Sequence, residues 1–141
     1  MSRSDNTSDH EAILLKWQLI RIWFPELQPK HDKYCICICP KRRWFYFINS
    51  NPPFARRAKE LALTVSKVEV TPLTKDFSYI DTTVLEEVPD DGRIKTALGN
   101  PNCCYGFISP TLRKRIMEAV AAHEALSEEQ EDAVLFDGET I

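Results

Sequence analysis

The feature that most limits the possible folds is a strand pattern, a short polar connection and a second apolar run. Cysteine and isoleucine alternate over residues 35–39, and four aromatic residues, Trp44, Phe45, Tyr46 and Phe47, follow the connection at residues 40–43. Alternation with a period of two is typical of a β-strand, and two such runs across a short gap indicate a β-hairpin. We therefore predict antiparallel strands over residues 33–39 and 44–48.

The last third of the chain predicts helices. Ser109 precedes Pro110, which is the order of an N-cap residue and a proline at the first helical position. We expect this helix to run to about Ala125. Ser127, with Gln130 in capping-box position, predicts a second, short helix. The apolar face of the longer helix would be formed by Leu112, Ile116, Ala119, Val120 and His123.

The remaining segments are shorter. Residues 19–24 fit either a buried strand or the continuation of a short helix capped by Ser8 and Glu11, with Ile13, Leu14 and Trp17 on its apolar face. Strands are predicted over residues 65–70 and 77–83, and residues 91–92 have the composition of a turn. Strands first and a long helix last indicate an α+β domain. Short strands with tight connections favour a strongly bent sheet or a small SH3-like barrel.

The domain organisation follows from length and from the polarity of the two ends. A chain of 141 residues normally makes one domain. We predict a disordered segment at residues 1–8, a single domain at residues 9–135 and a mobile tail at residues 136–141. No apolar run approaches the roughly 20 residues needed to cross a bilayer, and the first residues lack a secretory-signal pattern. We therefore expect a cytoplasmic protein without a membrane partner.

Several classes of site lack their sequence motifs. The four glycines form no glycine-rich phosphate loop, and the three histidines have no partner at i+4. The five cysteines lack the paired C-x-x-C spacing of a zinc site. We expect no metal and no cofactor. We interpret the cysteines as buried or half-buried thiols in a reducing compartment, with a redox or metal role as the alternative.

The charge is distributed unevenly along the chain. Residues 30–60 carry eight Lys or Arg against two acidic residues, whereas residues 118–141 carry eight Asp or Glu and no Lys or Arg. A basic stretch with interleaved aromatic residues suits a polyanion such as RNA. The same composition also suits a solvated hairpin turn beside a buried strand, and composition alone does not choose between the two.

Two histidines have distinct interpretations. His31 lies between Lys30 and Lys33, where it could act as a base near neutral pH or be an exposed loop histidine without a task. His123 falls on the apolar face of the predicted long helix, which indicates a core or interface histidine with satisfied hydrogen bonds.

The order of these segments resembles the MazF/PemK family of bacterial toxin ribonucleases. The similarity covers residues 19–125. It includes a first strand that ends at Pro25, the buried strand at residues 34–39 and the strand with a polar exit at residues 44–50. Residues 70–75 resemble a strand end that carries a catalytic threonine or serine, residues 77–82 the next strand, and residues 106–116 the short strand leading into the terminal helix. The arginine and proline that the family usually places before the buried strand are absent here.

The resemblance implies a strongly bent sheet of the MazF/PemK type with a C-terminal helix, and metal-independent cleavage of single-stranded RNA. It also implies an antitoxin protein as partner and a homodimer. Lys33 and Lys30 could stabilise the phosphate, His31 could be base or acid, and Thr74 could position a phosphate oxygen or donate a hydrogen bond to it. The expected catalytic residues are Lys33, His31 and Thr74. The expected RNA-binding residues are Lys30, Arg42, Arg43, Trp44, Asn49, Ser50 and Lys75.

Two other functions fit the same sequence. A non-catalytic module of the same fold could bind a protein partner or RNA, and its acidic end could dock on a basic partner or fold back over the basic stretch. A regulator that acts through protein contacts alone is the third possibility. Within the hairpin, we expect Phe45 and Phe47 inside and Trp44 as the better candidate for stacking on a base. Core packing of all four aromatic residues is the alternative.

Overall fold

The computed structural model describes residues 13–136. Its strands are β1 (Gln18–Phe24), β2 (His31–Cys39), β3 (Trp44–Asn49), β4 (Leu63–Ser66), β5 (Phe77–Ile80), β6 (Glu86–Glu87) and β7 (Cys104–Phe107). Its helices are α1 (Arg56–Leu61), α2 (Asp91–Leu98), α3 (Pro110–His123) and α4 (Glu128–Leu135), with a 3₁₀ turn at Pro101–Cys103. The α+β class is confirmed. None of the described helices is both long enough and apolar enough to cross a membrane.

The strands form an antiparallel sheet in the order β4-β5-β3-β2-β1-β7, and β6 pairs with the beginning of β3. One edge of β3 faces β2 along its length, while the other edge is divided between β6 at Trp44 and β5 at Asn49. The sheet curls strongly into a half-barrel. Within residues 13–136 its end strands, β4 and β7, are not neighbours. A strongly bent sheet is therefore confirmed, in an open form.

The predicted hairpin of β2 and β3 is confirmed. Tyr34 pairs with Ile48 and Cys37 with Phe45, and the register shifts by one residue before Cys39 meets Trp44. Arg43, in the turn, has a φ of 56°, and its carbonyl accepts a hydrogen bond from the Val88 N–H at 3.0 Å. This contact ties the hairpin turn to the segment that follows β6.

Both faces of the sheet are covered, and this determines which aromatic residues of the hairpin are buried. The first face packs under α3 and α4 and includes Ile36 and Tyr46, whereas the second packs under α2 and includes Cys35 and Phe45. Phe45 and Tyr46 are therefore both fully buried, and Phe47 is half-buried. Phe45 lies inside as expected, and the burial of Tyr46 agrees with the alternative of core packing, because α2 covers one face of the sheet and α3 and α4 cover the other.

The capping signals predicted the two C-terminal helices correctly. The Ser109 hydroxyl accepts the Leu112 N–H at 3.1 Å, and the Ser127 hydroxyl accepts the Gln130 N–H at 3.2 Å. His123 is buried, as predicted. Its Nδ1 accepts the Ala125 N–H at 3.0 Å, so the proton lies on Nε2, which is 3.2 Å from the carbonyl oxygen of Thr82.

Other boundaries differ from the predictions. The described part of the predicted N-terminal helix is irregular at residues 13–15 and a turn at residues 16–17. Residues 70–74 are loop instead of a strand end, because the chain turns back: the Val70 N–H donates to Ser66 and the Leu73 N–H to Val70. The strands predicted at 65–70 and 77–83 are β4 and β5, both shorter. The predicted turn at 91–92 begins α2, where the Asp90 side chain caps the Gly92 N–H.

The remaining expectations concern the ends and the thiols. The predicted disordered segment at residues 1–8 lies outside the described residues. The predicted tail also lies outside them, except for Phe136. All five cysteines are free. Burial raises the pKa of the Cys35 and Cys37 thiols, so they stay protonated and unreactive. The adjacent Cys103 and Cys104 have different partners, since Arg21 approaches the Cys103 sulfur and the Cys104 thiol donates to Ala97.

Candidate functional site

A cleft of about 520 Å³ opens where β2 begins, and we call it the β2 cleft. It lies between the first residues of β2, the end of β3, the loop that leads to α1, and the segment between β5 and β6. Its polar lining consists of His31, Lys33, Asn49, Asn51, Asp81 and Glu86. Its apolar lining consists of Phe47, Pro52, Pro53, Phe54, Ala55, Ala58 and Val84.

The register of the hairpin explains why Lys33 and Asn49 meet. Cys35 pairs with Phe47 and Tyr34 with Ile48, so Lys33 and Asn49 are the next opposed pair on the same face. The Lys33 ammonium donates to the Asn49 side-chain oxygen at 2.6 Å and lies 5.7 Å from the centre of the Phe47 ring. A neutral amide and an aromatic face hold this cation in place without cancelling its charge.

His31 is the first residue of β2 and is exposed at the mouth of the cleft. Its Nδ1 lies 2.6 Å from the carbonyl oxygen of Pro29. A carbonyl oxygen can only accept a hydrogen bond, so Nδ1 carries the proton of the neutral ring. The free lone pair is therefore on Nε2, which is the nitrogen available to accept a proton from a ligand.

A second depression, also of about 520 Å³, adjoins the first and shares Asn51 and Pro52 with it. Its lining includes Ser50, Thr74 and Lys75. The Lys75 ammonium donates to the Ser50 carbonyl at 2.9 Å, and the Thr74 side chain is exposed on its loop. The structure therefore places Thr74 beside the cleft of His31 and Lys33 and not inside it.

Three of the predicted RNA-binding residues, Arg42, Arg43 and Trp44, lie at the opposite end of the hairpin. Eight residue steps along β2 separate His31 from Cys39, which is about 26 Å at roughly 3.3 Å per residue. There Arg42 forms an ion pair with Glu129 of α4 and stacks on the Trp44 ring at 5.0 Å. Arg43 is half-buried, with its Nε buried and lacking a hydrogen-bond partner.

The acidic end thus folds back over the basic stretch at this point, which was one of the alternatives left open by the sequence. Lys16 adds a second tie, since its ammonium donates to the carbonyl of Val134 at 3.1 Å. Lys30 is exposed directly before β2 and does not line the β2 cleft. Arg42, Arg43 and Trp44 therefore form a group separate from the cleft.

Among the residues that line the cleft and that sequence reasoning missed are Asn51, Phe54, Asp81 and Glu86. The Asp81 carboxylate accepts hydrogen bonds from the N–H and the hydroxyl of Thr83, at 3.0 and 2.5 Å. An Asp two residues before a Thr is a recognisable turn signal, so Asp81 could have been noticed. Glu86 belongs to a two-residue strand, and no sequence pattern predicts its position.

The chemistry of the cleft combines a histidine with a free nitrogen, an ammonium group, two carboxylates and an aromatic rim. These groups can move a proton and bind an anion beside an apolar surface. Within residues 13–136, no three His, Cys, Asp or Glu side chains converge so that they could hold a metal ion. We compared the chain with models of protein families, with characterised proteins and with solved structures, and none of them matches it.

Proposed function

We propose that the protein is a metal-independent endoribonuclease acting on single-stranded RNA, a divergent toxin of the MazF/PemK type. One observation carries the proposal: the His31 ring, whose Nδ1 is held by the Pro29 carbonyl, and the side chain of Lys33 line the same cleft. RNA cleavage by its own 2′-hydroxyl requires a base for that hydroxyl and a cation for the phosphate, and these two residues supply them.

In the proposed reaction, His31 Nε2 takes the proton of the 2′-hydroxyl. The 2′-oxygen forms a bond to the adjacent phosphorus, the bond from phosphorus to the 5′-oxygen breaks, and a 2′,3′-cyclic phosphate results. The Lys33 ammonium donates hydrogen bonds to the phosphate oxygens, and it protonates the departing 5′-oxygen. Asn49 holds Lys33 in position through the 2.6 Å hydrogen bond.

The adjoining depression extends this site. Lys75, Ser50 and Thr74 lie next to the cleft across Asn51 and Pro52, so a chain of nucleotides could pass from one depression to the other. In this proposal Lys75 neutralises a neighbouring phosphate, and Thr74 donates its hydroxyl to a phosphate oxygen. An antitoxin protein and a homodimer belong to the same proposal through the family resemblance.

The experiment is incubation of the purified protein in EDTA with a mixed-sequence single-stranded RNA, followed by analysis of the cut ends. We expect 2′,3′-cyclic or 3′-phosphate ends. Cleavage should disappear in Lys33→Ala, and in an RNA with a 2′-deoxy sugar at the cut position, because that sugar lacks the attacking oxygen. Intact RNA at high protein concentration, or cleavage that continues at the 2′-deoxy position, would contradict the proposal.

A second candidate function is a non-catalytic interaction module. It is favoured by the carboxylates of Asp81 and Glu86, which oppose the binding of a phosphate in the cleft, and by the pairing of Arg42 with Glu129. This candidate predicts no cleavage, and no change in partner binding when His31 is replaced by alanine. The cleavage assay therefore separates the two functions directly.

A further inference from the structure

Phe54 is fully exposed, at 104% of its reference area, and has the highest relative exposure among the large apolar side chains of the described residues. Leaving a phenylalanine in water gives up the stabilisation that burial would provide. The side chain contributes no packing to the fold, so its presence has no explanation in stability. It lies at the β2 cleft, together with Lys33 and Asn49.

Two prolines directly before Phe54 restrict the backbone that leads to the ring. Pro52 and Pro53 each restrict φ to about −65°, and a proline also biases the residue before it towards extended backbone. A backbone restricted in this way loses little conformational freedom when a ligand binds. An exposed aromatic ring after such a backbone is therefore suited to recognition.

We propose that the β2 cleft is a pocket for one unpaired nucleobase, which stacks on the Phe54 ring. The side-chain oxygen of Asn49 accepts a hydrogen bond from Lys33, so the NH₂ group of Asn49 remains as a donor towards the base edge. The exposed Asn51 offers a second amide. The inference deepens the proposed function and rests on it for the identity of the polymer, since it names the part of the RNA that the cleft holds.

The composition of the cleft favours a base over a hydrophobic side chain of a protein partner. A peptide anchor needs a wholly apolar socket, whereas the apolar lining of this cleft is accompanied by amides, an ammonium, a histidine and two carboxylates. A nucleotide uses the aromatic, amide and cationic groups, because its base stacks and bonds at its edge while its phosphate meets the cation. Both faces of a paired base are covered in a duplex, so only an unpaired base can occupy the pocket.

The test measures binding without cleavage. The probe is a fluorescein-labelled, mixed-sequence single-stranded RNA of about eight nucleotides, with 2′-O-methyl groups that block the attack, and the readout is fluorescence anisotropy. Phe54→Ala should weaken binding roughly ten- to hundredfold, as expected for the loss of one base–aromatic stack. Phe54→Trp should retain the wild-type affinity. Because Phe54 is fully exposed, both variants should keep the wild-type unfolding temperature.

The matched control is Phe107→Ala, which removes another exposed phenylalanine, on β7, at a position that does not line the cleft. It should leave the affinity within twofold of the wild type. Equal binding by Phe54→Ala and the wild type, equal competition by a duplex of the same sequence, or no binding of the probe by the wild type would each overturn the base pocket. The last outcome would assign the cleft to a protein partner.

The two proposals can fail separately. If the protein binds the probe through Phe54 but leaves cleavable RNA intact, the ribonuclease is wrong and the base pocket stands. If RNA is cleaved equally well by Phe54→Ala and the wild type, with equal affinity for the probe, the base pocket is wrong and the ribonuclease stands.

Discussion

The two ends of the hairpin formed by β2 and β3 carry similar positive charge in different surroundings. At the cleft end, Lys33 bonds to a neutral amide and His31 to a backbone carbonyl. At the turn end, Arg42 pairs with the carboxylate of Glu129 and covers Trp44. At the cleft the ammonium of Lys33 is therefore held by neutral groups, whereas at the turn the guanidinium of Arg42 pairs with a carboxylate of α4.

This difference shows why a count of basic residues does not choose between a polyanion-binding surface and a solvated hairpin turn. The eight Lys and Arg between residues 30 and 60 suit both interpretations. The fold divides them between the cleft end of the hairpin, its turn and α1, and Glu129 of the acidic C-terminal helix pairs with Arg42 at the turn. The sequence gives the number of charged side chains, but their ion-pair and hydrogen-bond partners in the folded protein determine which of them can bind a ligand.

The largest expected effect separates the two ends by catalysis. His31→Ala removes the proposed base, and general base catalysis contributes roughly 10²–10⁴ to a rate. Cleavage of single-stranded RNA in EDTA should fall by that factor. Arg42→Ala, at the turn end, should change the rate by less than about threefold, because Arg42 is already paired with Glu129. The measurement is the initial rate of cleavage at saturating RNA.

A larger loss of activity in Arg42→Ala than in His31→Ala would contradict the assignment of catalysis to the cleft end. The turn would then hold the reacting phosphate, and α4 would have to move away before RNA binds. A matched exposed site, Lys41→Ala in the same turn, controls for a general loss of positive charge.

Much of the fold could be predicted because local signals and tertiary contacts agree. The hairpin follows from alternation, and α3 and α4 follow from Ser109 and Ser127 as caps. The missed helix α2 buries just two side chains, Ile94 and Ala97, so its periodicity is weak, and the Asp-Gly pair at its start suggested a turn. Residues 70–74 were predicted as a strand end but form a loop. The prediction failed because the backbone hydrogen bond from Val70 to Ser66, which turns the chain back, could not be inferred from composition.

The candidate site was predicted in part for the same reasons. His31, Lys33 and Asn49 come together through the register of one hairpin, which the sequence predicts. Phe54, Asp81 and Glu86 reach the same cleft from three separate segments, and their approach depends on how the half-barrel curls. The contact of Arg42 with Glu129 joins residues 87 positions apart in the chain, which no local pattern specifies.

The effect of intermediate size concerns the free energy of unfolding, which should depend on α4 and not on the exposed ring at the cleft. Val134 of α4 is fully buried in the core that α4 shares with the sheet, whereas Phe54 at the cleft is fully exposed. Val134→Ala should lower the free energy of unfolding by about 2 kcal/mol, through lost burial and the cavity left behind. Phe54→Ala should leave it unchanged. Urea unfolding monitored by circular dichroism measures both, and equal losses would mean that the cleft end is structural as well.

The smallest expected effect concerns the ion pair itself. Glu129→Gln removes the carboxylate that faces Arg42, and both partners are about half exposed, so the free energy of unfolding should change by less than about 1 kcal/mol. The freed guanidinium should raise the affinity for a generic polyanion such as heparin a few-fold at low salt, and screening should remove this gain at high salt.

Glu128→Gln is the matched control for this last change, because it removes the same charge from the same helical turn and leaves the ion pair of Arg42 with Glu129 in place. An equal gain of heparin affinity in both variants would mean that α4 acts on the turn through its net charge. A gain confined to Glu129→Gln would assign the effect to the single contact with Arg42. The turn end would then be a basic surface that one carboxylate keeps occupied, whereas the cleft end is kept open by the neutral partners of Lys33 and His31.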